Sequence, residues 1–112
     1  MKKIIVANWK MNPSTPHEAK KLFGAIKKKA ALGRGNVEAV ITPPFVYLPL
    51  FKPTLKIKLG AQDVSPFAQG AYTGEVNARQ IKELAQWVII GHSERTKYLG
   101  ESDEVINGKL KS

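Results

Sequence analysis

Four apolar runs recur along the chain, and each leads through polar residues into a segment with helical signals. The runs span Lys3–Ala7, Val37–Thr42, Leu55–Leu59 and Trp87–Ile90. Their length is that of β-strands; the first run is expected to be a buried strand, and the apolar, β-branched composition of the last is typical of a strand buried on both faces. The pattern therefore predicts four strands, with the third ending at Gly60.

The longest helix is predicted between the first two strands. Thr15 can cap it, Pro16 suits the first helical position, and Glu18 completes a capping box. Gly33 and Gly35 are expected to end it. Apolar residues recur on one face at helical spacing, with lysines on the other face: Ala19, Leu22, Phe23, Ile26 and Ala30.

Shorter helices are predicted at Phe45–Phe51, from Asn77, at Ser93–Leu99 and from Ser102. Asn77 begins a capping box, with apolar positions at Ile81, Leu84 and Ala85. The final helix has its apolar positions at Val105, Ile106 and Leu110. The chain is thus expected to form a single domain over residues 1–112, ending inside the fourth helix.

Strand and helix alternate about four times, which predicts parallel strands joined by right-handed crossovers. Polar residues of chemical interest follow the strands: Asn8, Lys10, Gln62, Asp63 and His92. Such residues at the carboxyl ends of strands are typical of the active-site face of a (β/α) barrel. A doubly wound sheet is the alternative, but no glycine-rich phosphate loop follows the first strand.

His92 has two interpretations. The residue ends the fourth apolar run and precedes Ser93, where a helix can begin. The positive end of that helix would keep the imidazole neutral and able to donate a hydrogen bond. A lone histidine here is more often only a cap of the turn. The pattern alone leaves both open.

Composition narrows the class of protein. The chain has no cysteine and no apolar run near the roughly 20 residues that span a bilayer, which favours a soluble, cytoplasmic protein and no membrane contact. Its net charge of +9 indicates an anionic partner such as a phosphate ester. Nucleic acid is a weak alternative, because no helix-turn-helix and no basic-aromatic interleaving is present.

Four segments closely resemble triosephosphate isomerase, in that family's order and spacing. They are Asn8–Asn12, Leu59–Asp63, Gly70–Val76 and Trp87–Arg95, and the similarity runs from Lys3 to about Lys111. The resemblance implies interconversion of dihydroxyacetone phosphate and glyceraldehyde 3-phosphate, without cofactor or metal. That family is itself the known example of a neutral histidine electrophile at a helix N-terminus.

The resemblance also implies site roles. Lys10 matches the lysine that holds the substrate phosphate and the enediolate charge, and Asn8 matches its neighbour in substrate binding. His92 matches the electrophile that polarises the carbonyl. Glu94 matches the acid that pairs with Lys10, and Ser93 lies beside it in the substrate site.

The loop over residues 61–76 is long for a compact domain, and such loops are usually functional or buried in a partner. In the family it reaches into a second subunit, with Thr73 at its tip. Glu75 and Arg95 resemble the ion pair made across that contact. The expected assembly is therefore a dimer of heterodimers joined through this loop.

Half of the family's barrel is missing from the sequence. A barrel of this type needs about 250 residues and eight strands, and the chain has 112 residues. No motif here matches the catalytic glutamate after the sixth strand, the lid, or the phosphate cradle after the seventh and eighth strands. We expect the N-terminal half of a (β/α)8 barrel, completed by another chain carrying strands five to eight.

Three origins of this half remain open: a split isomerase, an enzyme cut by engineering or proteolysis, or two copies that self-associate into an inactive pseudo-barrel. The split isomerase is favoured, because every catalytic residue expected of an N-terminal half is present. The competing class is a non-enzymatic module that binds phosphate compounds or, less favourably, nucleic acid.

Overall fold

The computed structural model describes residues 1–112. Its strands are β1 (Lys3–Asn8), β2 (Val37–Thr42), β3 (Ile57–Ala61) and β4 (Trp87–Val88). Its helices are α1 (Pro16–Leu32), α2 (Ala78–Lys82), α3 (Ser93–Leu99) and α4 (Asp103–Lys111).

The four strands form one parallel sheet in the order β1-β2-β3-β4, which is also their order in the chain. Lys3 of β1 lies opposite Val37 of β2, and this register runs without slip to Asn8 opposite Thr42. Consecutive parallel neighbours produce a sheet that curls in one direction, as in a barrel. The predicted N-terminal half of a (β/α)8 barrel is confirmed.

The core lies between the sheet and α1. Thr15 accepts a hydrogen bond from the Glu18 N–H and so caps the helix as predicted, but the Glu18 side chain does not make the reciprocal bond of the predicted capping box. Phe23 of α1 stacks on Phe51 with ring centroids 4.4 Å apart, and Trp9 meets the same ring edge-on at 5.8 Å. These aromatic rings anchor α1 over the segments that follow β1 and β2.

The outer strands are exposed, contrary to the prediction of a buried first strand and of a fourth strand buried on both faces. Ile4, Ile5 and Val6 of β1 are all about half exposed, with Ile5 the most exposed at 59%. Trp87 and Val88 of β4 are exposed as well. These side chains lie where a full barrel would continue, so their burial requires strands that this chain does not contain.

Several element boundaries differ from the prediction. β3 begins at Ile57 rather than Leu55 and continues to Ala61. β4 is assigned only Trp87–Val88, although the Ile89 N–H still donates to the Ala61 carbonyl at 2.9 Å. The predicted helix over Phe45–Phe51 is a single 3₁₀ turn.

The predicted apolar face of α4 is wrong at Val105, which is 40% exposed, and again at the end of the helix. Leu110 is 67% exposed, whereas Lys109 is buried.

No helix of the chain has a stretch long and apolar enough to cross a bilayer. No group of three or more His, Asp or Glu side chains has the arrangement of a metal site.

Candidate active site

A cleft of about 520 Å³ opens at the carboxyl ends of the strands. Residues that follow the first and the last strand line it: Asn8 and Lys10 after β1, and His92 and Glu94 after β4. The structure therefore brings together most of the residues that the sequence singled out. Ser93, the first residue of α3, is exposed and lies outside the lining of the cleft.

Lys10 has the unusual backbone of the site. Its φ of 57° lies in the left-handed region that side chains other than glycine rarely adopt. The Lys10 N–H donates to the Asn8 side-chain oxygen at 2.9 Å, and Gln62 donates to the Lys10 carbonyl at 2.8 Å. Hydrogen bonds on both sides hold the strained residue, which fixes where its side chain begins.

The Lys10 ammonium lies 2.6 Å from the Glu94 carboxylate, across the cleft from β1 to α3. The hydrogen bond from Lys10 lowers the pKa of Glu94, and this outweighs the opposing effect of desolvation; the charge of Lys10 lowers it further. Glu94 is therefore ionised at neutral pH. The pair thereby holds the Lys10 ammonium against Glu94 in the lining of the cleft.

His92 is the N-cap of α3. Its Nδ1 accepts a hydrogen bond from the Glu94 N–H at 3.1 Å, whereas the Glu94 carboxylate lies 3.6 Å away, beyond hydrogen-bond distance. An acceptor nitrogen carries no proton, so this contact fits the neutral ring with its proton on Nε2. His92 thus caps α3 through Nδ1, and its Nε2–H remains available to donate a hydrogen bond.

Gln62 was among the polar residues that follow the predicted strands, but the sequence assigned it no role in the site. Its amide donates to the Lys10 carbonyl and to the Thr42 carbonyl, both at 2.8 Å. It thereby ties the ends of β1, β2 and β3 together. The feature of the sequence that points to Gln62 is its position directly after the third strand.

A buried charge cluster lies under α3 and α4. It consists of Asp63, Arg95, Glu101 and Lys109. The Lys109 ammonium lies 2.7 Å from Asp63 and 2.5 Å from Glu101, and Arg95 lies 3.2 Å from Asp63 and 3.0 Å from Glu101. The cluster fastens both helices to the end of β3.

Glu101 is the most constrained acid of this cluster. Burial by itself would raise the pKa of its carboxyl, but hydrogen bonds from Lys109 and Arg95, together with their charges, leave the pKa lowered. One of its oxygens, Oε1, is buried without a hydrogen-bond partner. This cluster was not predicted from the sequence, where Asp63 stood out only as a residue after the third strand and Arg95 only as the expected partner of Glu75.

Of the residues expected at a subunit contact, Thr73 and Glu75 lie in the 61–76 loop and Arg95 lies in α3. Thr73 and Glu75 are exposed in the 61–76 loop, where the rings of Phe67 and Tyr72 stack at 3.8 Å. Glu75 forms no ion pair within the chain. Arg95 is engaged with Asp63 and Glu101 of its own chain.

Comparison with known proteins gives one family. The sequence model described as triosephosphate isomerase matches residues 3–112. The chain is 47% identical to the triosephosphate isomerase of Dehalococcoides mccartyi over 100% of this chain and 45% of the relative. The corresponding protein of Thermus thermophilus is 43% identical over 99% and 45%, and that of Hahella chejuensis 42% over 98% and 45%. The chain therefore spans under half the length of these relatives.

Proposed function

Because the chain belongs to the triosephosphate isomerase family, we propose that it forms the N-terminal half of an isomerase site. The site would interconvert dihydroxyacetone phosphate and glyceraldehyde 3-phosphate, as part of glycolysis and gluconeogenesis in the cytoplasm. A C-terminal part with strands five to eight would supply the glutamate base, the lid and the phosphate cradle. On its own, the chain would be inactive or nearly so.

The observation that carries this proposal is the Lys10–Glu94–His92 arrangement in one cleft. Proton transfer next to a carbonyl creates negative charge on oxygen, and fixed donors and cations stabilise such charge most when they are already in position. The hydrogen bonds to the Lys10 backbone and the cap at His92 hold both groups without substrate. Preorganised donors of this kind are what an enediolate needs.

Each residue has a proposed role. The Lys10 ammonium attracts the phosphate and the developing oxyanion, while Glu94 keeps the ammonium oriented. His92 donates from Nε2 to the carbonyl oxygen and passes the proton between the two substrate oxygens. Asn8 holds Lys10 and contacts substrate beside it, and Ser93 lies next to the histidine at the start of α3.

The proposed partner would cover the exposed apolar faces of β1 and β4. Because this chain carries a net charge of +9, a less basic or acidic companion would fit it best. Two such heterodimers would then meet through the 61–76 loop, with Thr73, Glu75 and Arg95 at the contact. Arg95 would keep its bonds to Asp63 and Glu101 in that assembly.

Mixing the chain with the C-terminal half of a family member and assaying isomerisation tests the proposal. Lys10→Met and His92→Gln should each lower kcat/KM of the mixture by about 10²–10³-fold, as the loss of an oxyanion donor does. His17→Gln and Lys20→Met are matched controls, since both residues lie on the exposed side of α1, away from the cleft. They should leave kcat/KM unchanged.

Two results would contradict the assignment. Unchanged turnover in the Lys10→Met mixture would remove the lysine from the site. A mixture that assembles by size-exclusion chromatography with the wild-type chain, yet shows no isomerase activity, would favour the non-catalytic binding module instead.

A further inference from the structure

The end of the half-barrel opposite the candidate site carries two adjoining clefts. One, of about 370 Å³, lies between α1 and the segment that leads into β3, and Lys27 and Ala30 contribute to its lining. The other, of about 250 Å³, lies between the end of α1 and the start of β2 and includes Arg34. Ala30 and Lys56 line both clefts. We call this continuous surface the basal groove.

Charge in the basal groove has one sign. Lys27, Arg34 and Lys56 line it, and no acidic residue lines either cleft. Lys27 and Arg34 have no ion-pair partner in the chain. The Lys56 ammonium donates to the Gly33 carbonyl, where the two clefts join. Three cations with low-polarity surroundings and no neighbouring acid attract anionic groups.

Apolar surface lies between these cations. Leu55 in the first cleft is 96% exposed, and Val37 in the second is also exposed. Ala30 and Ala31 of α1 complete the apolar lining. Leu55 therefore exposes nearly its whole side chain to water beside a concave surface. A partner that covers it would remove this apolar area from water, which favours binding.

We expect the basal groove to stay open when the barrel is completed. It lies beside β2 and β3, which are the inner strands of the sheet, whereas a completing half would meet β1 and β4. The 61–76 loop leaves the opposite, carboxyl end of β3. The groove is therefore separate from both interfaces of the proposed isomerase, and its function does not depend on that proposal.

We propose that the basal groove binds an acidic amphipathic segment of a partner protein. Carboxylates of the segment would pair with Lys27, Arg34 and Lys56, and its apolar side chains would cover Leu55 and the alanines of α1. A nucleic acid fits less well, because no aromatic side chain is available in the groove for bases to stack on. A lipid surface fits less well, because the apolar lining consists of one leucine, one valine and alanines, with no Trp or Phe to enter a bilayer.

The test uses a labelled synthetic peptide with leucines at helical spacing on one face and glutamates on the other. Fluorescence anisotropy measures its Kd for the full chain. Lys27→Glu/Arg34→Glu should weaken binding at least about tenfold, because attraction becomes repulsion. Lys20→Glu/Lys21→Glu is the matched control, since it reverses two lysines of the same helix outside the groove. It has the same net charge and should change Kd less than about twofold.

A second pair of variants tests the apolar part. Leu55→Ser should weaken peptide binding about fivefold, whereas Leu110→Ser, at another exposed leucine outside the groove, should not. Circular dichroism confirms that all variants are folded.

Three outcomes would overturn the proposal. The first is no peptide binding up to about 1 mM. The second is an equal loss in both charge-reversal variants, which would mean unspecific attraction. The third is duplex DNA or phosphatidylserine vesicles binding more tightly than the peptide with the same dependence on Lys27 and Arg34, which would reassign the groove to a nucleic acid or a membrane.

Discussion

Replacing Lys109 with methionine should lower the free energy of unfolding by about 3 kcal/mol. The ammonium group lies 2.7 Å from Asp63 and 2.5 Å from Glu101, and the lysine side chain is only 4% exposed. Methionine keeps an unbranched side chain and removes the charge. The variant therefore tests ion pairing in the buried charge cluster rather than packing.

The magnitude follows from what the variant leaves behind. Removing one partner of a buried ion pair typically costs about 3–5 kcal/mol, because the remaining charge is left without compensation. Here Arg95 still lies 3.2 Å from Asp63 and 3.0 Å from Glu101, so each carboxylate keeps one cation. We therefore expect the lower end of that range. Even this would be a large part of the stability of a small domain.

Urea unfolding followed by far-UV circular dichroism measures the change. With a slope of about 1.5 kcal/mol/M, the midpoint should fall by about 2 M. Lys111→Met is the matched control, because it removes the same charge from an exposed position of α4. It should change stability by less than about 0.5 kcal/mol.

A second variant keeps the reasoning testable if Lys109→Met does not fold. Lys109→Met/Glu101→Gln removes the cation together with the acid that depends on it most, so it should be more stable than the single variant. A Lys109→Met midpoint equal to that of Lys111→Met would refute the argument. So would a double variant less stable than the single one.

Three further predictions concern the sheet, a helix cap and acid stability. Gly60→Ala should cost about 2 kcal/mol in thermal melts, because its Cβ would lie 2.6 Å from the buried Thr42 side chain; Gly24→Ala, which meets nothing within 4 Å in α1, should instead stabilise by about 0.5–1 kcal/mol. Asn77→Ala removes the side-chain oxygen that accepts from the Gln80 N–H in the α2 capping box, while the bond from the Asn77 N–H to the Gln80 side chain can remain; it should cost about 1 kcal/mol in urea unfolding, with Asn77→Asp close to wild type. Because the pKa of Glu101 is lowered on folding, its stabilising contribution is complete above its unfolded pKa and is lost as pH falls through the lower folded pKa, so Glu101→Gln should flatten the loss of stability that the wild type shows below about pH 5.

Local signals in the sequence predicted much of the fold. The caps at Thr15, Asn77 and Ser102 each satisfy a backbone N–H three residues further on, and the structure confirms all three. A contact between residues so close in sequence depends little on the rest of the molecule. The parallel order of the strands followed in the same way from their alternation with helices.

Features that depend on distant parts of the chain were not predictable. Lys109 is buried because Asp63, 46 residues earlier, and Glu101 supply its counter-charges, and no periodicity of α4 carries that information. The exposure of β1 had a different cause. Its apolar pattern is that of a strand in a complete barrel, and the chain contains only one of its two neighbours.

The candidate site was predictable from the sequence only in part. Asn8, Lys10 and His92 could be found because each follows a strand, and parallel strands bring their carboxyl ends to one edge. What the strand pattern did not show was how they are held. The left-handed backbone of Lys10 and the two bonds from Gln62 depend on the meeting of three strands.

The ion pair between Lys10 and Glu94 joins residues 84 positions apart, at the two outer edges of the sheet. Both side chains are about half exposed, and an exposed ion pair is too weak to bend a sheet. The pair forms because the sheet is already curved and brings its two edges close together. A partner that docks on this half would therefore meet a preformed arc of strands. Little of the free energy of binding would be used to bend the sheet. Labels placed near these two residues would follow the curvature of the arc directly, and the distance between them should change little on assembly.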